Sequence, residues 1–253
     1  MSNSFENHGV THLSASQLNL WIACPSLWIL EKLLKKRGGV GCAAHRGTAS
    51  EAGISAGLFD PLMSHEDCLA VALPIYDRLT ALSGDPKRDS ERAVIPGMIT
   101  QGLSLREHGL PIRPSEGDQH RIEIRLEGVS VPIVGFLDWE YADEVIDLKT
   151  TLRVPSEMSA PHLRQASLYK TARMGKRVRF FYASDKKSAK HTLNREQYDQ
   201  AIKEITLTAQ RMERFLGLSK DARELAALVP HDSSSFYFND PAVKAAAIEI
   251  YGF

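Results

Sequence analysis

Cysteine is scarce in this chain: Cys24, Cys42 and Cys68 all fall in the first third of its 253 residues. So small and odd a set is no disulfide framework and fits buried thiols in a reducing compartment. With no CxxC pair and no cysteine after Cys68, a zinc ribbon or a four-cysteine iron–sulfur cluster has no ligand set. A Walker A pattern is missing, so ATP is not implied. Runs of about 18 apolar residues are missing too, so no membrane span is expected. Residues 1–10 lack the apolar core of a secretory signal, and the expected location is the cytoplasm. Net charge of either sign is also absent, with 31 basic against 31 acidic residues. That excludes a histone-like polycation. It leaves room for a nucleic-acid partner, because a groove can hold positive charge locally while the rest of the surface balances it.

What is present is ordinary globular material, 43% hydrophobic and 25% charged. There is no internal repeat, low-complexity tract or linker, so residues 1–253 are read as one domain. Residues 1–12 are polar and expected to be frayed. Ser14 and Ser16 are candidate caps for a helix through Leu18, Trp21 and Ile22; Pro25 interrupts it, and Gly38-Gly39 ends its continuation. Trp21 and Trp28 read as core anchors. Further helices are expected from about Arg46 and over 65–82, followed by a polar loop over 83–90.

The period then changes. His120–Glu127 alternates strictly, with Ile122, Ile124 and Leu126 on one face and Arg121, Glu123 and Arg125 on the other, which predicts a strand. A second strand is expected over Val131–Tyr141 and a third over Val145–Lys149, with a tight reversal between them. Helical spacing returns over Ser159–Arg173, Val178–Ala183 reads as an interior strand, and 195–216 is a long amphipathic helix.

The chemistry concentrates in 133–151. Asp138 and Asp147 each sit inside an apolar run, and Asp147 and Lys149, two apart on a strand, share a face. Charges on a buried strand must be paired or ligated. A hairpin that brings Asp138 beside Asp147 invites a divalent cation, and an all-oxygen ligand set favours magnesium or manganese over zinc. The bland alternative is an Asp147–Lys149 salt bridge on an exposed face. Val145-Ile146 and Thr150-Thr151 on either side favour a buried strand instead.

Gly135-x-x-Asp138 followed by Val-Ile-Asp147-Leu-Lys149-Thr-Thr resembles the RecB-like branch of the PD-(D/E)XK nuclease superfamily. Three further segments fall in that branch's order: Ser14-Ala-Ser16 through Cys24-Pro25, Arg46-Gly47-Thr48-Ala49-Ser50-Glu51, and Gln165-Ala-Ser-Leu-Tyr169. The resemblance covers about residues 13 to 183. It implies an α/β, restriction-endonuclease-like core: a mixed central β-sheet of four to five strands flanked by α-helices on both sides.

The same resemblance implies that Asp138, Asp147 and the carbonyl of Leu148 hold Mg2+ (or Mn2+), with Glu51 where many members carry histidine. Lys149 then orients or deprotonates the attacking water, or neutralises charge in the transition state. Gln165 and Tyr169, on one helical face, are expected to contact DNA or the lysine. Glu123 either approaches the metal cluster or forms an ion pair with Arg121 or Arg125, and His45 is the one histidine near the Glu51 helix. Between Gly175 and Lys190, a basic excess that includes Lys176, Arg177 and Arg179 either tracks a phosphate backbone or is a solvated edge.

Stand-alone length without helicase motifs is similar to phage or prophage exonucleases, which process linear duplex ends for recombination or repair in a bacterial or phage-infected cell. The partners this implies are linear duplex or single-stranded DNA, a single-strand annealing or recombination protein, and further copies of the chain in a homo-oligomer. The rivals are a nucleic-acid-binding protein that keeps the fold without activity, an endonuclease, and a CRISPR-associated RecB-like nuclease without an iron–sulfur cluster.

Overall fold

The N-terminal third is helical. Helix α1 (Ala15–Ala23) starts at Ser14, whose hydroxyl accepts the Gln17 N–H. Pro25 lacks the N–H needed to extend the ladder and restarts the chain as α2 (Pro25–Trp28), which runs into a π turn over Ile29–Leu33. Next come α3 (Cys42–Phe59), α4 (His65–Leu79), α5 (Arg88–Ala93) and α6 (Ile95–Leu103). The remainder alternates: β1 (His120–Ile124), β2 (Ile133–Leu137), β3 (Trp139–Glu140), β4 (Glu144–Thr150), α7 (Ala160–Ala172), β5 (Arg177–Ala183), β6 (Ser188–Thr192), α8 (Arg195–Leu216), α9 (Ala222–Ala226) and α10 (Pro241–Tyr251). This computed structural model describes residues 3–252.

The protein is α/β with a four-stranded mixed sheet in the order β3-β4-β5-β6 and a separate hairpin, β1-β2. β4 and β5 are parallel, joined by α7, while β3 and β6 pair antiparallel at the edges. β5 is interior, as its apolar run predicts. The strand expected over Val131–Tyr141 is in fact two. β2 belongs to the hairpin, β3 belongs to the main sheet, and Asp138 is the single residue between them.

Alternation along β4 and β5 sends side chains to both faces. Ile146, Leu148 and Phe181 pack with Trp139 against Ile54, Leu58, Tyr76 and Ile99 from α3, α4 and α6. Val145, Val178, Phe180 and Tyr182 pack on the opposite face against Ala166 and Tyr169 of α7. Each fully buried side chain of this size stabilises by about 1.5–3 kcal/mol. The apolar neighbours of Asp147 thus offset the cost of keeping an acid on a buried strand. A third cluster joins Leu18 and Trp28 to Ile205, Ala209, Met212 and Leu216 of α8.

The frayed N-terminus expected from its polarity is corrected. Phe5 is 0% and Val10 6% exposed in that third cluster, and the adjoining Leu13 bridges to Ile133. Met1 and Ser2 lie outside the described residues. Four elements were missed: α5 begins inside the stretch read as a loop, β6 lies in the lysine-rich segment, α9 is only five residues long, and α6 is apolar but broken in pattern by Pro96, Gly97 and Gly102. Cys24, Cys42 and Cys68 are buried free thiols. Among the described residues, no helix is long and apolar enough to cross a membrane.

Candidate active site

Asp138 occupies the seam between the two sheets. The β3–β4 register pairs Trp139 with Ile146, and one step further it would set Asp138 opposite Asp147. The ladder stops there, and the Asp138 carboxylate accepts the Leu148 N–H instead, Oδ2 to N 2.7 Å. The Leu148 carbonyl leaves β4 on the same edge as that N–H. Asp147 and Lys149 point to the α7 face, with Nζ 2.5 Å from Asp147 Oδ2 and 4.9 Å from the centroid of the Phe180 ring.

Glu51 reaches the same place from α3, which is fastened along its length. Arg46 pairs with Glu91 and donates to the Thr150 carbonyl (3.2 Å), and Ser55 accepts the Trp139 indole N–H (3.0 Å). Gln119 then joins two of the acids: its Nε2 donates to Glu51 Oε1 (2.7 Å) and to Asp138 Oδ1 (2.9 Å). Sequence reasoning missed Gln119. The usable signal was register, because one step beyond the His120–Leu137 pair Gln119 falls opposite Asp138.

From α7, Gln165 Nε2 donates to the Tyr169 hydroxyl (2.5 Å) and approaches Asp147 Oδ1 (3.3 Å), while the Tyr169 hydroxyl donates to the Phe136 carbonyl (2.8 Å). Gly135 lies beside this contact, packed closely against Ile122. A Cβ there would stand 3.3 Å from Ile122 Cδ1 and 3.5 Å from the Tyr169 ring. His162 was also missed, although His162, Gln165 and Tyr169 follow i, i+3, i+7 spacing and share one helical face.

The electrostatics of the cluster are unbalanced. Three carboxylates face one ammonium. Burial, then Asp147 and Glu51, raise the Asp138 carboxyl well above the usual carboxylate range. Burial, then Asp147, raise that of Glu51 as well. For Lys149, burial works to remove the charge, but Asp147, Asp138 and Glu51 outweigh it and hold the ammonium above its ordinary value. Burial followed by the Asp147 and Asp138 charges keeps the Tyr169 phenol protonated.

These residues line a cavity of about 910 Å³ that includes Gln119, Asp138, Asp147, Lys149, His162 and Gln165. Glu51 lines it too, and it also borders a second depression of about 1080 Å³ with Arg113, Arg121 and the half-exposed Phe136. The two cavities share Glu51, Gln119 and Phe136 in their lining.

The donor chemistry suits a hard cation: three carboxylates and a backbone carbonyl, with no thiol or imidazole among them. Asp147 Oδ2 is buried without a hydrogen-bonded partner, its compensation being the Lys149 ammonium alone. Among the described residues, no group of three or more His, Cys, Asp or Glu side chains is placed to hold a metal ion as it stands. Gln119 stands between two of the acids, where a cation would bind. Asp138, Asp147, the Leu148 carbonyl and Glu51 are the groups that would hold one, and it would acidify a bound water and shield a phosphate.

Other expected residues fall elsewhere. Glu123 pairs with Arg121 at 2.8 Å on the exposed face of β1. His45 lies on α3, six residues before Glu51 and on a different side of the helix, and it lines none of the cavities around the acids. Lys176, Arg177 and Arg179 are engaged with acids near the start of β4. Lys176 lies 2.7 Å from Glu140, Arg179 lies 3.1 Å from Glu144, and Arg177 pairs with Asp143.

No known family model matches this chain, and no curated protein is significantly similar to it. The site therefore stands on its own geometry.

Proposed function

We propose that this protein is a magnesium- or manganese-dependent nuclease with a restriction-endonuclease-like core, acting as an exonuclease on linear DNA. The observation that carries the reading is the excess of negative charge at the β2–β3 seam. Glu51, Asp138 and Asp147 are brought together beside a single cation, Lys149, in a cavity at the carboxyl end of a parallel strand pair. A divalent cation relieves that excess, and a phosphodiester is the substrate whose cleavage such a set assists. Lys149 is held charged, which suits orienting an anionic nucleophile or neutralising the transition state better than accepting a proton at the outset.

A second reading is a nucleic-acid-binding protein that keeps the fold without cleaving. It is favoured by the Gln119 bridge and the Asp147–Lys149 pair, which satisfy the acids without a metal. The deciding experiment digests end-labelled linear duplex beside covalently closed circular DNA, with magnesium, with EDTA, and with Asp147→Ala. Metal-dependent loss of the linear species alone, abolished by the substitution, is the expected result. Cutting of the circle makes the protein an endonuclease. No cleavage of either, with manganese as well, leaves the binding protein.

A further inference from the structure

His162 stands at the start of α7 with its ring beside Phe180 and Tyr182, both ring centroids at 5.5 Å, and it lines the same cavity as Asp147 and Lys149. Nδ1 lies 2.7 Å from the Tyr182 hydroxyl. Tyr182 is 2% exposed, on β5 directly opposite Lys149, and among the described residues its hydroxyl has no other hydrogen-bond partner. A buried hydroxyl proton without an acceptor is costly, so the O–H points at Nδ1 and makes that nitrogen the acceptor. The ring proton then sits on Nε2, which has no partner among the described residues and belongs to a ring that borders the cavity. Burial, then the neighbouring Lys149 charge, lower the imidazole to about 4, so it is neutral near pH 7.

We propose that His162 is a substrate-contacting residue whose Nε2–H donates to a phosphate oxygen in the Asp147–Lys149 cavity, with Tyr182 as the positioning residue that fixes this tautomer. The proposal rests on the nuclease reading for its substrate class, a phosphodiester. A neutral donor serves this site in a particular way. It binds an anionic oxygen without adding a second full charge beside Lys149, and it cannot draw the catalytic carboxylates into ion pairs as another cation would.

Two measurements test it. Long-range proton–nitrogen correlation spectra of the full chain labelled with 15N-histidine, without metal or DNA, should show the Nε2–H tautomer of His162. Tyr182→Phe should convert it to a mixture. Adding a short single-stranded oligodeoxynucleotide with calcium should then shift Nε2 of His162. A wild-type Nδ1–H tautomer, or an Nε2 that the oligonucleotide leaves unmoved, overturns the proposal whether or not the protein cleaves DNA. The second measurement is turnover with magnesium. His162→Ala should lower kcat by about 10²-fold, the usual loss for one donor to a developing oxyanion. His162→Gln should recover part of it, and Tyr182→Phe should cost about tenfold. Wild-type kcat in His162→Ala overturns the proposal and leaves the nuclease reading intact. An Nε2 shift without any wild-type cleavage keeps the contact and removes the nuclease.

Discussion

The two ends of β4 carry buried acids in opposite circumstances. At its start, Glu144 lies 2.5 Å from His108 Nδ1 and 3.1 Å from Arg179, while Glu140, beside it on β3, lies 2.9 Å from Arg173 and 2.7 Å from Lys176. Burial works to raise the Glu140 carboxyl, yet Lys176 and Arg173 outweigh it and hold it below the usual range. Toward the other end, Glu51, Asp138 and Asp147 share Lys149, and the carboxyls of Glu51 and Asp138 are raised. The same residue types around one strand thus build a compensated brace and an uncompensated cluster. A buried acid alone is no sign of a reactive site. An acid that its neighbours fail to neutralise is a candidate, because something from outside must complete it.

The largest expected effect breaks the brace. Glu144→Gln leaves Arg179 and His108 without their buried partner and should cost about 3–5 kcal/mol of stability, read from the urea midpoint. The protein that remains folded should cleave DNA at the wild-type rate. A loss of less than about 1 kcal/mol would remove the distinction between the two ends.

At the other end the signs reverse. Glu51→Gln should reduce magnesium-dependent cleavage sharply while raising stability in EDTA by about 0.5–2 kcal/mol, because it removes one of three repelling charges. Thermal melting with and without magnesium checks this: the metal should stabilise the wild type more than the variant. Equal stabilisation of both would argue that Glu51 does not meet the cation.

The pH dependence sharpens the same contrast. Asp138 and Glu51 have folded-state values above their unfolded ones. As pH rises from the ordinary carboxylate range through the raised values, the unfolded chain loses protons first and stability falls. Glu140 has a lowered value, so its contribution is present above the ordinary carboxylate range and is lost as pH falls through the folded value. In metal-free buffer, subtracting the pH–stability curve of Glu51→Gln or of Glu140→Gln from that of the wild type should therefore give slopes of opposite sign. Magnesium should flatten the first slope only.

The smallest effect concerns Arg177. Its pair with Asp143 is exposed, at 54% and 68% for the two side chains, so Arg177→Ala should change stability by less than about 1 kcal/mol. The salt dependence of DNA binding should keep its slope, since a cation already paired within the fold releases few counterions. A slope reduced by about one unit would return this segment to the phosphate-tracking role expected from its composition.

Much of this was legible in the sequence because it depends on local spacing. Two-residue spacing put Asp147 and Lys149 on one face, four-residue spacing did the same for Gln165 and Tyr169, and the long periodic stretch became α8 with its bounds as expected. The charge excess at 175–190 was visible too, but which acids absorb it was not. Glu140, Asp143 and Glu144 meet those cations only because β5 returns parallel to β4. The split of 131–141 was hidden for a similar reason. An extended run reads the same whether it serves one sheet or two, and Asp138 is a seam only because the partner strands change there.

By itself, then, the sequence determined the α/β alternation, the face that Asp147 and Lys149 share, and the absence of a sulfur ligand set. These follow from helix and strand periods and from side-chain chemistry, which neighbours along the chain decide. The tertiary structure decided which acids stay uncompensated, that Gln119 spans Glu51 and Asp138, and that the Tyr182 hydroxyl meets Nδ1 of His162. Those outcomes depend on a few ångströms between residues far apart in the chain, where the strength of a charge or a hydrogen bond is set by burial and by the partner across the fold.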